Sequence, residues 1–137
     1  MMKLEKSDEG VIGEIGRAFA YYDYGEESGL IDAFPNRDAV SAFSCGYARM
    51  ALKSGMLYTS GEKNEAFIAY KLSGEKVGLK AGVLFAKAVL GSMKLKELIR
   101  FAGIMSKGGS GLGKRLDKQQ KPYIYVGLVC VTEKFQG

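Results

Sequence analysis

Histidine and tryptophan are absent from the 137 residues, and the chain has only two cysteines and two prolines. Without histidine there can be no Ser-His-Asp triad, no Cys-His pair and no His-containing zinc site. Cys45 and Cys130 cannot supply four thiolates, so a metal centre is not expected. Both lie in apolar stretches, where a thiol behaves as a small core residue rather than half of a disulfide. That usage suits a reducing compartment, and a cytoplasmic location is expected. Residues 1–6 carry charge, and no apolar segment of signal-peptide type follows them, so no secretory leader is expected.

What is present is ordinary for one folded domain spanning 1–137. The chain is 47% hydrophobic and 26% charged, which is enough apolar material for a core. Its formal net charge is +5, which favours an anionic partner such as nucleic acid, a membrane surface or a phosphorylated cofactor. Simple solubility explains the same charge.

The first periodic segment covers residues 8–21. Ser7 can cap it, Asp8 and Glu9 suit its first turn, and Val11, Ile12, Ile15, Ala18, Phe19 and Tyr22 share one helical face. An aperiodic loop follows, with Asp23, Glu26, Glu27 and Asp32 among Tyr21, Tyr22, Tyr24 and Phe34. Such a loop could receive a cationic amine, or it could be a solvated connector with tyrosines packed on the core. Asn36 then caps a second helix carrying Ala39, Val40, Phe43, Tyr47, Met50 and Ala51 on one face. Lys53 in its last turn and Gly55 beyond it make a normal stop. Residues 56–59 and 66–72 read as two strands joined by a polar loop containing Gly61.

Residues 77–105 are strongly apolar. About 20 such residues can span a bilayer, but Lys80, Lys87, Lys94, Lys96 and Arg100 interrupt this run. Lys80, Lys87 and Lys94 recur every seven residues as one polar stripe. The favoured reading is a helix, or two helices breaking near Gly91, packed on the sheet; a membrane-surface helix is the less favoured one. Gly108, Gly113 and Lys114 fit G-x-x-x-x-G-K, but Arg115 stands where a phosphate loop needs Ser or Thr, and a helix rather than a strand precedes the motif. A Gly-Ser linker leading into a basic helix over 114–120 is expected instead.

The last segment, 121–137, contains nine consecutive apolar, glycine or aromatic residues from Tyr123 to Val131. A run of this kind predicts a strand buried on both faces, at the centre of a sheet. Leu128-Val129-Cys130-Val131, the turn Thr132-Glu133-Lys134-Phe135 and then Gln136-Gly137 resemble the central strand, acidic turn and Q-G-x-G loop start of the Gcn5-related N-acetyltransferase (GNAT) superfamily. The upstream order of two helices, a hairpin and a helical segment is similar to the first half of that domain. Ala18-Phe19 before the acidic loop also resembles one subgroup of it, as does Pro122-Tyr123, although the His which that subgroup places after the proline is missing.

The resemblance implies an α/β (α+β) fold of partial GNAT type, without the C-terminal strands and phosphate-binding helix. It implies an incomplete domain over 1–137, inactive by itself, completed by a C-terminal part or a second chain, with a homo-oligomer as one possibility. It implies acetyl transfer from acetyl-CoA to a primary amine, on a small molecule or a peptide. The pantetheine arm would pair with backbone groups of Val129, Cys130 and Val131 like an added strand, and Gln136 and Gly137 would open the pyrophosphate loop. No residue stands out as catalytic: Tyr125 falls where some members place a glutamate. Tyr21, Tyr22, Tyr24 and Tyr125 are candidates for acceptor contacts, with structural packing as their other reading. The alternative function is a non-enzymatic basic module for nucleic acid or an anionic surface, carried by the lysine stripe and residues 107–121. Its aromatics are not interleaved with those lysines, so neither nucleic acid nor membrane is the favoured partner.

Overall fold

The computed structural model describes residues 1–6, 9–22, 25, 30–107 and 110–136. Ser7, Asp8, Asp23, Tyr24, Glu26, Glu27, Gly108 and Gly137 lie outside the described residues, and with them the expected cap of the first helix and most of the acidic loop.

The described elements run β1 (Met2–Lys3), α1 (Glu9–Ala20), a 3-10 turn (Leu30–Ala33), α2 (Arg37–Lys53), β2 (Leu57–Thr59), β3 (Ala66–Leu72), α3 (Leu79–Ser92), α4 (Leu95–Lys107), α5 (Ser110–Lys118), β4 (Ile124–Val131) and a second 3-10 turn (Glu133–Phe135). This is a mixed α+β architecture. The four strands form one sheet in the order β1-β2-β3-β4, antiparallel at every pairing. β1 was not foreseen. It is only two residues long, too short to show a period, and it continues into a bond from the Leu4 N–H to the Leu57 carbonyl at 2.9 Å.

α2 begins as expected, with the Asn36 side chain accepting from the Ala39 N–H at 2.8 Å. It ends where Gly55 takes φ +67, a left-handed conformation that glycine adopts at little cost. α1 and α2 pack together across one face of the sheet. Their inward residues, Ile12, Ile15, Ala18, Ala48 and Ala51, meet Leu57, Phe67, Ala69, Leu128 and Cys130 in the main core. The period-2 alternation of β3 places Phe67 and Ala69 in that core, with Ile68 and Tyr70 on the opposite face, where Tyr70 stacks on Tyr58.

Three sequence expectations are corrected. First, β4 is buried on one face only and has a single neighbour, β3, among the described residues. Leu128 and Cys130 point into the core; Ile124, Val126, Val129 and Val131 are exposed. An unbroken apolar run carries no alternation, so it did not reveal which residues face solvent. Second, the long apolar segment is two helices breaking near Gly91, as one reading has it, at Met93-Lys94, and this break divides the expected lysine stripe. They break because the Glu97 side chain accepts from the Lys94 N–H at 2.7 Å and so caps a new helix. Lys94 therefore lies beyond the helix that carries Lys80 and Lys87, and the three do not form one stripe. Third, α3 packs on α2, not on the sheet. Phe85 meets Phe43 and Tyr47 edge-on, and Phe43, Phe34 and Phe101 close a second aromatic core with α4.

β3 and β4 are neighbours although residues 73–123 separate them. Leu72 pairs with Ile124, so α3, α4 and α5 form an excursion that leaves and rejoins the sheet at one end. Within it, Gly113, Lys114 and Arg115 lie inside α5. Helix α4 runs to Lys107 and α5 starts at Ser110, so the basic helix begins earlier than residue 114 and the intervening linker is short.

Candidate functional site

The C-terminal end of β4 and the C-terminal end of α1 border one open groove of about 460 Å³. It is lined by Ala18, Phe19 and Tyr22 on the helix side, and by Val129, Cys130, Val131, Phe135 and Gln136 on the strand side. The turn after β4 closes one end. There Lys134 pairs with Glu14 at 3.0 Å and Glu133 approaches Arg17 at 3.9 Å, fastening the turn to α1. The Arg17 pair is exposed and the Lys134 pair half-exposed, so both fix position more than they stabilise. Beneath the turn Thr132 is buried, its hydroxyl donating to the carbonyls of Glu65 (3.1 Å) and Asn64 (3.3 Å).

The direction of the β4 backbone follows from the ladder. The Thr132 N–H donates to the Glu65 carbonyl at 2.9 Å, and Val131, Cys130 and Val129 stand opposite Ala66, Phe67 and Ile68. Antiparallel pairs alternate between exchanging both bonds and exchanging none. Cys130 therefore turns its N–H and C=O toward β3, while Val129 and Val131 turn theirs to the free edge. One of these outward groups is engaged: the Gln136 side-chain amide donates to the Val131 carbonyl at 2.7 Å.

Further along, the register slips between Ala69 and Tyr70, leaving Gly127 as an extra residue on β4. The Tyr47 hydroxyl of α2 sits where a Gly127 side chain would be. Burial and the neighbouring Tyr125 push the Tyr47 phenol up to about 12. Cys130 is pushed up to about 12 as well, by burial, against a smaller opposing effect of the Phe67 backbone. At neutral pH it is a protonated core thiol, not a nucleophile.

The candidate residues are thus partly brought together. Val129, Cys130, Val131, Gln136 and Tyr22 share the groove. Tyr21 is exposed and does not line the groove; it stacks under the Arg37 guanidinium, 5.4 Å from the ring centre. Tyr125 is elsewhere: beyond the bulge it turns to the helix side, under Lys71 (5.9 Å), in a small cavity shared with Tyr47. Tyr24 and Gly137 lie outside the described residues. Ala18 and Phe135 were not singled out as site residues, although Ala18-Phe19 had carried part of the family resemblance. Tyr47 was read only as a helix-face residue; the signal for its contact was a glycine inside a strand, which marks a bulge or a close approach.

Compared with known proteins, the chain matches no family model, no curated protein and no solved structure.

Proposed function

We propose that this chain supplies the acyl-CoA strand of an acetyltransferase domain: the acyl-CoA arm lies on the free edge of β4, and the domain, competent once its other part is supplied, transfers the acetyl group to an amine. The observation that supports this reading is the groove: residues picked out by motif resemblance line it, and Val129 and Val131 offer it unpaired backbone groups. An extended pantetheine amide chain can pair with such an edge as an added strand. Val129 would accept and donate one bond each and Val131 would donate one, its carbonyl being held by Gln136.

In the reaction the neutral amine attacks the thioester carbonyl carbon. A C–N bond forms, the C–S bond breaks, the amine loses a proton to solvent or a carboxylate, and the departing thiolate gains one to leave as free CoA. Of the groove's ionisable lining residues, Cys130 is a buried, protonated thiol and Tyr22 is exposed, and the role of Tyr22 is acceptor contact.

Calorimetric titration with acetyl-CoA tests the proposal. Saturable binding is expected, abolished by Val129→Pro, which removes an edge N–H that β3 does not use and so leaves the melting temperature close to that of the parent. Absence of binding by the parent, or unchanged binding by V129P, would overturn it. Release of CoA thiol with a panel of primary amines, measured with the completing part of the domain supplied, then identifies the acceptor.

A further inference from the structure

The excursion between β3 and β4 has a face that the fold does not use. α3 seats Ala81, Phe85 and Ala88 inward, against α2. On the opposite side, Leu79, Val83, Ala86 and Leu90 follow at helical spacing as a second apolar stripe. Leu79 is 86% exposed and Leu90 65%. α4 repeats the arrangement: Leu95 (74% exposed), Ile99 (67%) and Ala102 point outward while Phe101 is buried. Two consecutive helices therefore present leucine and isoleucine to water without need of them for the core.

The charge beside these stripes has one sign. Lys80 and Lys87 flank the α3 stripe, and Lys96 and Arg100 the α4 stripe, all exposed. α3 contains no acidic residue. The single acidic residue of α4, Glu97, is folded back as the cap of its own helix. Residues 77–121 hold ten basic and two acidic side chains, a net charge of +8 against +5 for the whole chain, so the remainder is acidic. The positive charge is concentrated where the apolar residues are exposed.

We infer that the outer faces of α3 and α4 dock on an anionic lipid bilayer. Aliphatic side chains flanked by lysines suit the boundary between acyl chains and anionic headgroups, where the stripe sinks and the lysine stems reach outward to phosphate. Nucleic acid would use the same lysines but give Leu79, Leu90, Leu95 and Ile99 nothing to bury against. A second copy of the chain would bring like charges together. The helices lie on the surface and do not cross it: among the described residues none is long and apolar enough to span a membrane. This inference is independent of the acetyltransferase reading.

Vesicle flotation of the intact chain is the test, with phosphatidylcholine vesicles and with mixed phosphatidylcholine–phosphatidylglycerol vesicles. Binding is expected to the mixed vesicles, weakening as salt rises. Lys80→Gln with Lys87→Gln is expected to weaken it about 25-fold, at roughly fivefold per lysine. Leu90→Gln with Leu95→Gln is expected to weaken it by at least about 100-fold. Both pairs are exposed, so circular dichroism and melting should match the parent. No binding to anionic vesicles, or binding unchanged in the leucine pair, overturns the inference. So does concentration-dependent dimerisation in sedimentation that the leucine pair abolishes.

Discussion

Gln136 turns back on the strand it follows and donates its side-chain amide to the carbonyl of Val131 at 2.7 Å. The bond uses one of the few outward groups at the end of β4 and fixes the direction in which the chain leaves the groove. Because the bond is exposed, Gln136→Ala should cost well under about 1 kcal/mol of stability. If the groove takes acetyl-CoA, the same change should weaken binding about fivefold, since the segment that follows β4 is then no longer held in place. Urea unfolding and calorimetry on one sample separate the two effects. A stability loss matching the affinity loss would make Gln136 a purely structural residue.

The Gly127 bulge and Tyr47 form a pair whose coupling can be measured. A Cβ at Gly127 would occupy the position of the Tyr47 hydroxyl. Gly127→Ala should therefore destabilise the chain by about 1–3 kcal/mol. In a Tyr47→Phe background the cost should fall, because the obstructing oxygen is gone. The double-mutant cycle should give a coupling of at least about 0.5 kcal/mol. Additive effects would mean that the bulge resists substitution for reasons of backbone shape alone.

Cys130 and Tyr47 set the alkaline limit of stability. Both are neutral in the fold, and both are pushed up to about 12 from ordinary values of 9.0 and 10.0. A raised folded-state value means that the folded chain keeps protons which the unfolded chain releases. Stability is then fully present below about pH 9, declines first through Cys130 and then also through Tyr47, and levels off only above pH 12. Unfolding in urea at successive pH values should show this fall. Cys130→Ala should remove the part that begins near pH 9, and the native thiol should titrate later than the denatured one by ultraviolet absorbance.

Much of this arrangement was legible in the residues. Helical period gave α1 and α2, and Asn36 with Gly55 gave the limits of α2. The strand and hairpin pattern gave β3, but which of its two faces is buried came only with the packing of α1 and α2 on the sheet. Each of these signals is local. The position of β4 was not legible, because Ile124, Val126, Val129 and Val131 are as apolar as Leu128 and Cys130 and exposure depends on what lies beyond the strand. The helical excursion misled for a related reason: α3 is apolar on both sides, so its pattern could not say which side meets α2. At the groove, the motif residues at the end of β4 were foreseen. Their meeting with Ala18 and Phe135 was not, because it depends on how α1 crosses the sheet.

The seat of α3 on α2 depends on Gly46. A Cβ there would lie 2.5 Å from that of Ala88, closer than real side chains approach. Phe85, next to this contact, is held by Phe43 and Tyr47 at centroid distances of 5.3 and 5.5 Å. Neither helix backbone can give way locally, so Gly46→Ala must push α3 outward and separate those rings. The expected cost is about 1–3 kcal/mol, and it should be unevenly distributed. The core around Phe67, between the sheet and helices α1 and α2, does not involve α3. Hydrogen exchange should therefore quicken across α3 and α4 while the amides of β2 and β3 stay protected. Uniform quickening would show that the excursion and the sheet unfold as one cooperative unit. Selective quickening would show that the helices bearing the exposed leucines can open while the groove beside β4 stays intact.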